Sequence, residues 1–118
     1  MDRIVKGKIG EAAAVSYLKN KGYRIAEINW ETDIGELDIV AYSGGTLIFV
    51  EVKARASLKY GMPSEAVDLR KQRKLSMMAA QYIKCKKLFD IPARFDVIEI
   101  VGDWINHIEN AFESRIRM

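Results

Sequence analysis

Between Ile34 and Arg55, apolar and polar positions alternate with a period of two on either side of a Gly44-Gly45 pair, and β-branched residues are frequent. This pattern predicts a β-hairpin with a two-residue turn whose central residues both take positive φ. With Ser43 and Thr46 flanking the turn, Tyr42 faces Leu47, Val40 faces Phe49, Asp38 faces Glu51 and Glu36 faces Lys53, all on one side of the sheet. Leu37, Ile39, Ala41, Ile48, Val50, Val52 and Ala54 fall on the other side. One face is wholly apolar and the second is apolar near the turn, so cover on both faces is expected, as for a sheet between helices.

The rest of the chain divides in the same way. Residues from about Val5 to Lys21 carry a helical stripe closed by Gly22. Tyr23 to about Thr32 reads as a strand whose alternation slips once between Ile25 and Ile28, the signature of a bulge. A polar stretch containing Gly61 and Pro63 follows Arg55 and reads as a loop near the open end of the hairpin. Helical spacing of Val67, Leu75, Met78, Ala79, Tyr82 and Ile83 predicts a long helix from about Ser64 to Lys87, with a break near Asp68 or Leu69. ARFDVIEIV, then Gly102-Asp103, then WINHIENAF read as a second hairpin. The order is helix, three strands, helix, two strands. If the strand from Phe95 lies parallel to the one ending at Arg55, the long helix is part of a right-handed crossover.

Composition narrows the class. The 118 residues suit one domain, 1–118, with one continuous core, and 49% hydrophobic with 30% charged residues is the make-up of a globular protein. A net charge of +3 is compatible with a nucleic-acid partner and is not specific to one. Cys85 is the only cysteine, which excludes an internal disulfide and zinc-knuckle spacing. No apolar run approaches bilayer length and MDRIVKGKIGE lacks the apolar core of a signal peptide, so no membrane partner and a cytoplasmic location are expected.

Candidate chemistry gathers at the open end of the first hairpin. Opposed carboxylates of Asp38 and Glu51, roughly 5 Å apart at Cβ, repel each other and need a cation between them. Lys53 supplies part of that charge, and Mg²⁺ favours such an oxygen-rich, hydrated corner. From the residues alone, an ordinary ionic cluster at a fraying strand end serves equally well. Glu11 stands three, four and seven positions before Ala14, Val15 and Leu18, in line with the buried stripe of its helix. It is either a first-turn acid that suits the helix dipole or a third carboxylate aimed at the hairpin. Arg70, Lys71, Arg73 and Lys74 form a solvated basic face or a set of phosphate contacts. His107 stands near Trp104 and Ile105 in a strand, a setting for packing or hydrogen bonding, and Trp30 and Trp104 suit core or rim positions.

GELDIVA followed by LIFVEVKAR, with Asp38, Glu51 and Lys53 in place, resembles the bipartite signature of the PD-(D/E)xK nuclease superfamily. Gly10-Glu11, GMPSEAV, Lys71, RFDV and HIENAF extend the likeness over nearly the whole chain, to the YraN-type family of small bacterial endonuclease-like proteins. The element order is also similar to that of archaeal Holliday-junction resolvases. Leu37 stands where the superfamily name has proline. The resemblance implies an α/β fold with a restriction-endonuclease-like αβββαβ core, a mixed central sheet flanked by helices. It implies Mg²⁺, with Mn²⁺ as substitute, held by Asp38, Glu51 and the Val52 carbonyl, with Glu11 as a direct or water-mediated ligand. Glu11, Asp38, Glu51 and Lys53 would form the catalytic set, Lys53 placing the nucleophile with Glu36 orienting it. Arg55, Arg70, Lys71, Arg73 and Lys74 would contact nucleic acid. The implied reaction is hydrolysis of DNA phosphodiester bonds leaving a 5′-phosphate, on a branched or structured substrate, and a homodimer is one assembly compatible with it. A nuclease-like fold that binds nucleic acid without cutting it, or that serves only as an interaction protein, is the alternative.

Overall fold

The computed structural model describes residues 3–55 and 67–114. Helix α1 (Arg3–Asn20) is followed by strands β1 (Arg24–Thr32), β2 (Gly35–Ser43) and β3 (Thr46–Arg55), then by helix α2 (Leu69–Lys86) and strands β4 (Ala93–Val101) and β5 (Trp104–Phe112). The five strands form one sheet in the order β1-β2-β3-β4-β5. Only β3 and β4 are parallel, so the sheet is mixed, and α2 lies in the connection between them.

Each helix covers one face of the sheet. Ala14 and Leu18 of α1 pack with Ile39, Ala41, Ile48, Val50, Ile98 and Ile100. Leu75, Met78, Ala79, Tyr82 and Ile83 of α2 pack with Leu37, Val40, Leu47, Phe49, Phe95 and Val97. These two layers account for the near-continuous apolar runs in β2, β3 and β4, whose side chains are buried on both sides.

The expected hairpin is present. Gly44 and Gly45 both have positive φ, and Ser43 pairs with Thr46, Tyr42 with Leu47 and Val40 with Phe49. The bulge in β1 falls between Ile25 and Glu27, as the slipped alternation predicts. Helix α2 begins at Leu69 with the Asp68 carboxylate accepting from the Lys71 N–H at 2.8 Å, so the expected break is the start of the helix. The proposed earlier start at Ser64, with Gly61 and Pro63, lies outside the described residues. At its far end, Lys87 takes the left-handed conformation and its N–H reaches back to Ile83 and Lys84.

One expectation fails at the open end of the hairpin. The β2–β3 ladder ends at Ile39–Val50, so Asp38 is not the cross-strand partner of Glu51 and Glu36 does not face Lys53. Glu36 is paired instead with Glu31 of β1. The face assignment changes as well, because Leu37 joins the α2-side core while Ile39 joins the α1-side core together with Ala41. Leu37 and Val40 share a face although they are three residues apart, so strict alternation is broken between them. Asn29, across from Asp38 on β1, takes the left-handed conformation with φ 52°, and Asp38 turns out of the ladder. Period-two reasoning presumes an unbroken pleat, and both strands depart from it at the same level.

A second break lies between β4 and β5, where the register slips between Phe95 and Val97. Asp96, fully buried, fills it: its carboxylate accepts from the Asn110 N–H at 3.0 Å, from Arg94 Nε at 2.9 Å and from His107 Nε2 at 2.7 Å. The other His107 nitrogen faces the Tyr17 hydroxyl and the Lys21 ammonium at 3.3 and 3.2 Å, which ties α1 to the edge of the sheet. The single histidine thus has the hydrogen-bonding role that its setting suggested. Burial pushes the Asp96 carboxyl up, but hydrogen bonds from His107, Arg94 and Asn110 outweigh it and hold the group below the usual carboxylate range.

A depressed carboxyl stabilises the fold above its unfolded pKa of about 3.9, and that contribution is lost as pH falls through the lower folded value. Asp96→Ala, which leaves Arg94 and His107 without their partner, should lower unfolding free energy at pH 7 by about 3 kcal/mol. Urea denaturation of both proteins at pH 7 and near pH 3 is the check: the gap between them should shrink in acid.

Candidate functional site

Beyond Ile39 and Val50, strands β2 and β3 continue without pairing to each other. Asp38 stands at the mouth of this gap, and one of its carboxylate oxygens accepts the Val52 N–H at 2.9 Å. The side chain thereby replaces the lost rung of the ladder. In a β-strand the N–H and C=O of one residue point to the same side, so the Val52 carbonyl is aimed at the same gap.

Charges from both helical layers converge there. On the α1 side the helix crosses β3 very closely at Gly10, where a Cβ would come 2.9 Å from that of Ala54. The absence of a side chain brings the next residue, Glu11, near enough for its charge to act on Asp38. On the α2 side, Glu51 is 6% exposed and its Oε1 lies 3.7 Å from Lys53 Nζ and 3.6 Å from Lys71 Nζ. The other oxygen, Oε2, is buried with no hydrogen-bond partner among the described residues. Buried carboxylate oxygens are normally satisfied, so this one marks a place where the protein holds unspent negative potential.

The Asp38 carboxyl reports that potential. Burial raises its pKa most, and the Glu51 and Glu11 charges raise it further. The Val52 hydrogen bond and the Lys71 ammonium pull it down, and the balance lies at about 7. Lys71 and the Val52 N–H therefore do not offset burial and the two acids that Asp38 senses. Among the described residues no three acidic, histidine or cysteine side chains form a group able to hold a metal ion. Asp38 meets the Val52 N–H in the gap, and Glu51 and Glu11 act on it through their charges.

The basic set divides. Arg70 and Arg73 are exposed on the outer side of α2 and Lys74 is exposed at its border with the sheet, whereas Lys71 turns inward to Glu51. Lys71 precedes Leu75, Met78 and Tyr82 by four, seven and eleven positions, so the helical stripe itself carried the signal that it belongs to the buried side. The Lys74 stem lies over Gly35, where a Cβ would approach its Cε to 2.9 Å. Arg55 ends β3, and its side chain lies outside the described ones. Sequence reasoning passed over Glu99, which is fully buried and paired in register with Lys53. An acid alternating with Phe95 and Val97 in a strand covered on both faces was the available sign.

The profile of the uncharacterised protein family UPF0102 matches residues 10–100. The chain belongs to this family. It is 48% identical over 112 residues to a UPF0102 protein of Thermodesulfovibrio yellowstonii, covering 95% of this chain and 99% of that one. A UPF0102 protein of Clostridioides difficile is 46% identical over 114 residues, with 95% and 100% covered. One from Persephonella marina is 45% identical over 109 residues, with 92% and 94% covered. The YraN-type likeness carried by the hairpin motif is thus family membership. The matched UPF0102 segment begins at Gly10, where α1 meets β3, and ends at Ile100 in β4. It therefore includes Glu11, Asp38, Glu51, Lys53 and Lys71. Among the described residues no helix is long and apolar enough to cross a membrane.

A carboxyl whose pKa rises from about 3.9 in the unfolded chain to about 7 in the folded one weakens the fold as pH climbs between those values. Asp38→Asn removes that charge, and its amide oxygen can still accept from Val52. In metal-free buffer the variant should match wild type near pH 4 and exceed it by roughly 2–4 kcal/mol at pH 8. Equilibrium denaturation at several pH values tests this, and a gap that stays constant with pH would remove the assignment.

Proposed function

We propose that this protein hydrolyses DNA phosphodiester bonds with a divalent cation, Mg²⁺ or Mn²⁺, held by Asp38, Glu51 and the Val52 carbonyl. The observation that carries this reading is the under-neutralised gap between β2 and β3, with a buried Glu51 oxygen lacking a partner among the described residues and an Asp38 carboxyl raised to about 7. Oxygen donors of this kind fit a hard cation, which would neutralise both acids at once. Held there, such an ion would supply an acidified water and charge stabilisation at phosphorus.

The chain's own groups do the rest. Lys53, side by side with Glu51, orients the attacking water and offsets charge on the phosphate. Lys71 holds Glu51 from the helix side, a place at the centre rather than along the DNA track. Glu11 sharpens the attraction for a cation as a direct or water-mediated ligand, and Glu36, in register with Glu31 rather than Lys53, takes no part. The exposed Arg70, Arg73 and Lys74 of α2 follow the DNA backbone. Helix α2 has six basic residues and no acidic one, and its N-terminal turn adds the positive end of the helix dipole. Arg55, at the end of β3, extends this track. The protein acts in the cytoplasm, alone or as a homodimer, on branched or otherwise structured DNA.

A panel of duplex, flap, four-way junction and single-stranded DNA with Mg²⁺ or Mn²⁺ tests the proposal. Wild type should give metal-dependent product, and Lys53→Ala should lower kcat roughly 100-fold while DNA affinity stays within about threefold. Arg70→Ala with Arg73→Ala should weaken affinity for every substrate and reduce the slope of log K against log salt by about two. Mn²⁺ should raise the Tm of wild type and not of Asp38→Asn with Glu51→Gln. Salt-dependent binding with no product on any substrate would replace hydrolysis by binding alone, a reading that the acid-free surface of α2 favours.

A further inference from the structure

The sheet face that carries Glu51 and Lys53 continues in register across β4 and β5. Glu51, Val97 and Ile108 form one row, Lys53, Glu99 and Asn106 the next, and Arg55, Val101 and Trp104 the last. Paired residues project to the same side of a sheet. Val97 and Ile108 belong to the α2-side core and Ile105 to the α1-side core, so Trp104 shares the α2-side face with Glu51 and Lys53. Its side chain is 45% exposed, an unusual position for the largest apolar residue. Four residues along a strand and two strands across place it roughly 15 Å from Glu51, a few nucleotides of backbone away.

The surroundings select the occupant. A protein partner would need an apolar patch around its anchor, whereas the row beside Trp104 presents Lys53 and Asn106 at the surface, with Glu99 buried between them. An indole in a polar, cation-bearing surface suits a ligand that is charged along its backbone and flat at its bases. Paired DNA keeps its base faces stacked on each other, so only an unpaired base has a free face to offer. We propose that this face binds an unpaired stretch of DNA, one base stacked on Trp104, beside the Asp38–Glu51 centre. The position of a cut relative to that base rests on the hydrolysis reading; the stacking does not.

Trp30, the other tryptophan, packs edge-on against Tyr82 with ring centroids 5.1 Å apart, so a change in indole emission on binding is assigned by comparison with Trp104→Ala. The full chain is titrated in EDTA with a blunt duplex, the same duplex bearing a single-stranded DNA overhang, and one bearing an RNA overhang. The DNA overhang should bind more tightly than the blunt end and quench emission. Trp104→Ala should lose the quench and about tenfold in affinity for the overhang, with blunt-duplex affinity unchanged. Trp104→Phe, which keeps an aromatic face, should retain most of the preference. Equal affinities of Trp104→Ala and wild type for the overhang, or equal losses on both DNA forms, overturn the proposal, and a preference for the RNA overhang overturns its assignment to DNA. Because no divalent ion is present, a Trp104-dependent preference in a protein that cuts nothing leaves this inference standing and the hydrolysis reading fallen. Cleavage by wild type with no role for Trp104 in binding does the reverse.

Discussion

The molecule turns on the parting of β2 and β3 after Ile39 and Val50. A central sheet cannot leave a backbone N–H unpaired in its interior, and the Asp38 carboxylate takes up the Val52 N–H that the ladder releases. That single substitution of side chain for backbone opens a gap in a sheet otherwise sealed by two apolar layers. Through it, groups from opposite faces act on the same carboxyl: Glu11 from α1, seated by Gly10 against Ala54, and Lys71 from α2, set by the Asp68 cap.

Two aspartates perform the same backbone repair with opposite electrical consequences. Asp96 fills the break between β4 and β5 and is met by Arg94, His107 and the Asn110 N–H, so it remains ionised at low energy and fastens α1 and β5 to the sheet. Asp38 receives one N–H, feels two other acids and has its nearest cations engaged with Glu51. The hydrogen bond is of similar length in both cases, and the balance of surrounding charge decides which is held low and which is driven to about 7. Perturbation by burial together with named like charges is what makes Asp38 the candidate site.

Positive charge is likewise divided by position rather than spread evenly. On α2 the inward stripe brings Lys71 to Glu51, and the outward surface keeps Arg70, Arg73 and Lys74 in water. The helix packs through Leu75, Met78, Ala79, Tyr82 and Ile83, so its rotation about its own axis, and with it the placing of every cation, is set by the core. UPF0102 relatives align over nearly the full chain, which makes this arrangement of layers a property of the family fold.

Period and turn chemistry in the sequence were enough for the two helices, the two hairpins, the bulge in β1 and the turn register around Gly44-Gly45, because each of these rests on neighbours within one or two turns or rungs. Glu11, Asp38, Glu51 and Lys53 stood out in the sequence as charged residues interrupting apolar stripes, and the fold brings the charges of Glu11 and Glu51 to bear on Asp38. The pleat break at Asn29 and Asp38, the flip of Leu37 to the α2 side and the pairing of Glu36 with Glu31 rather than Lys53 were not legible, since they follow from where β2 and β3 cease to pair. Lys71 at Glu51, Glu99 beside Lys53 and Trp104 on the face of the centre depend on the parallel joining of β3 to β4 across α2. A contact between residues so far apart in the chain is selected by packing of the whole core, and no local pattern encodes it.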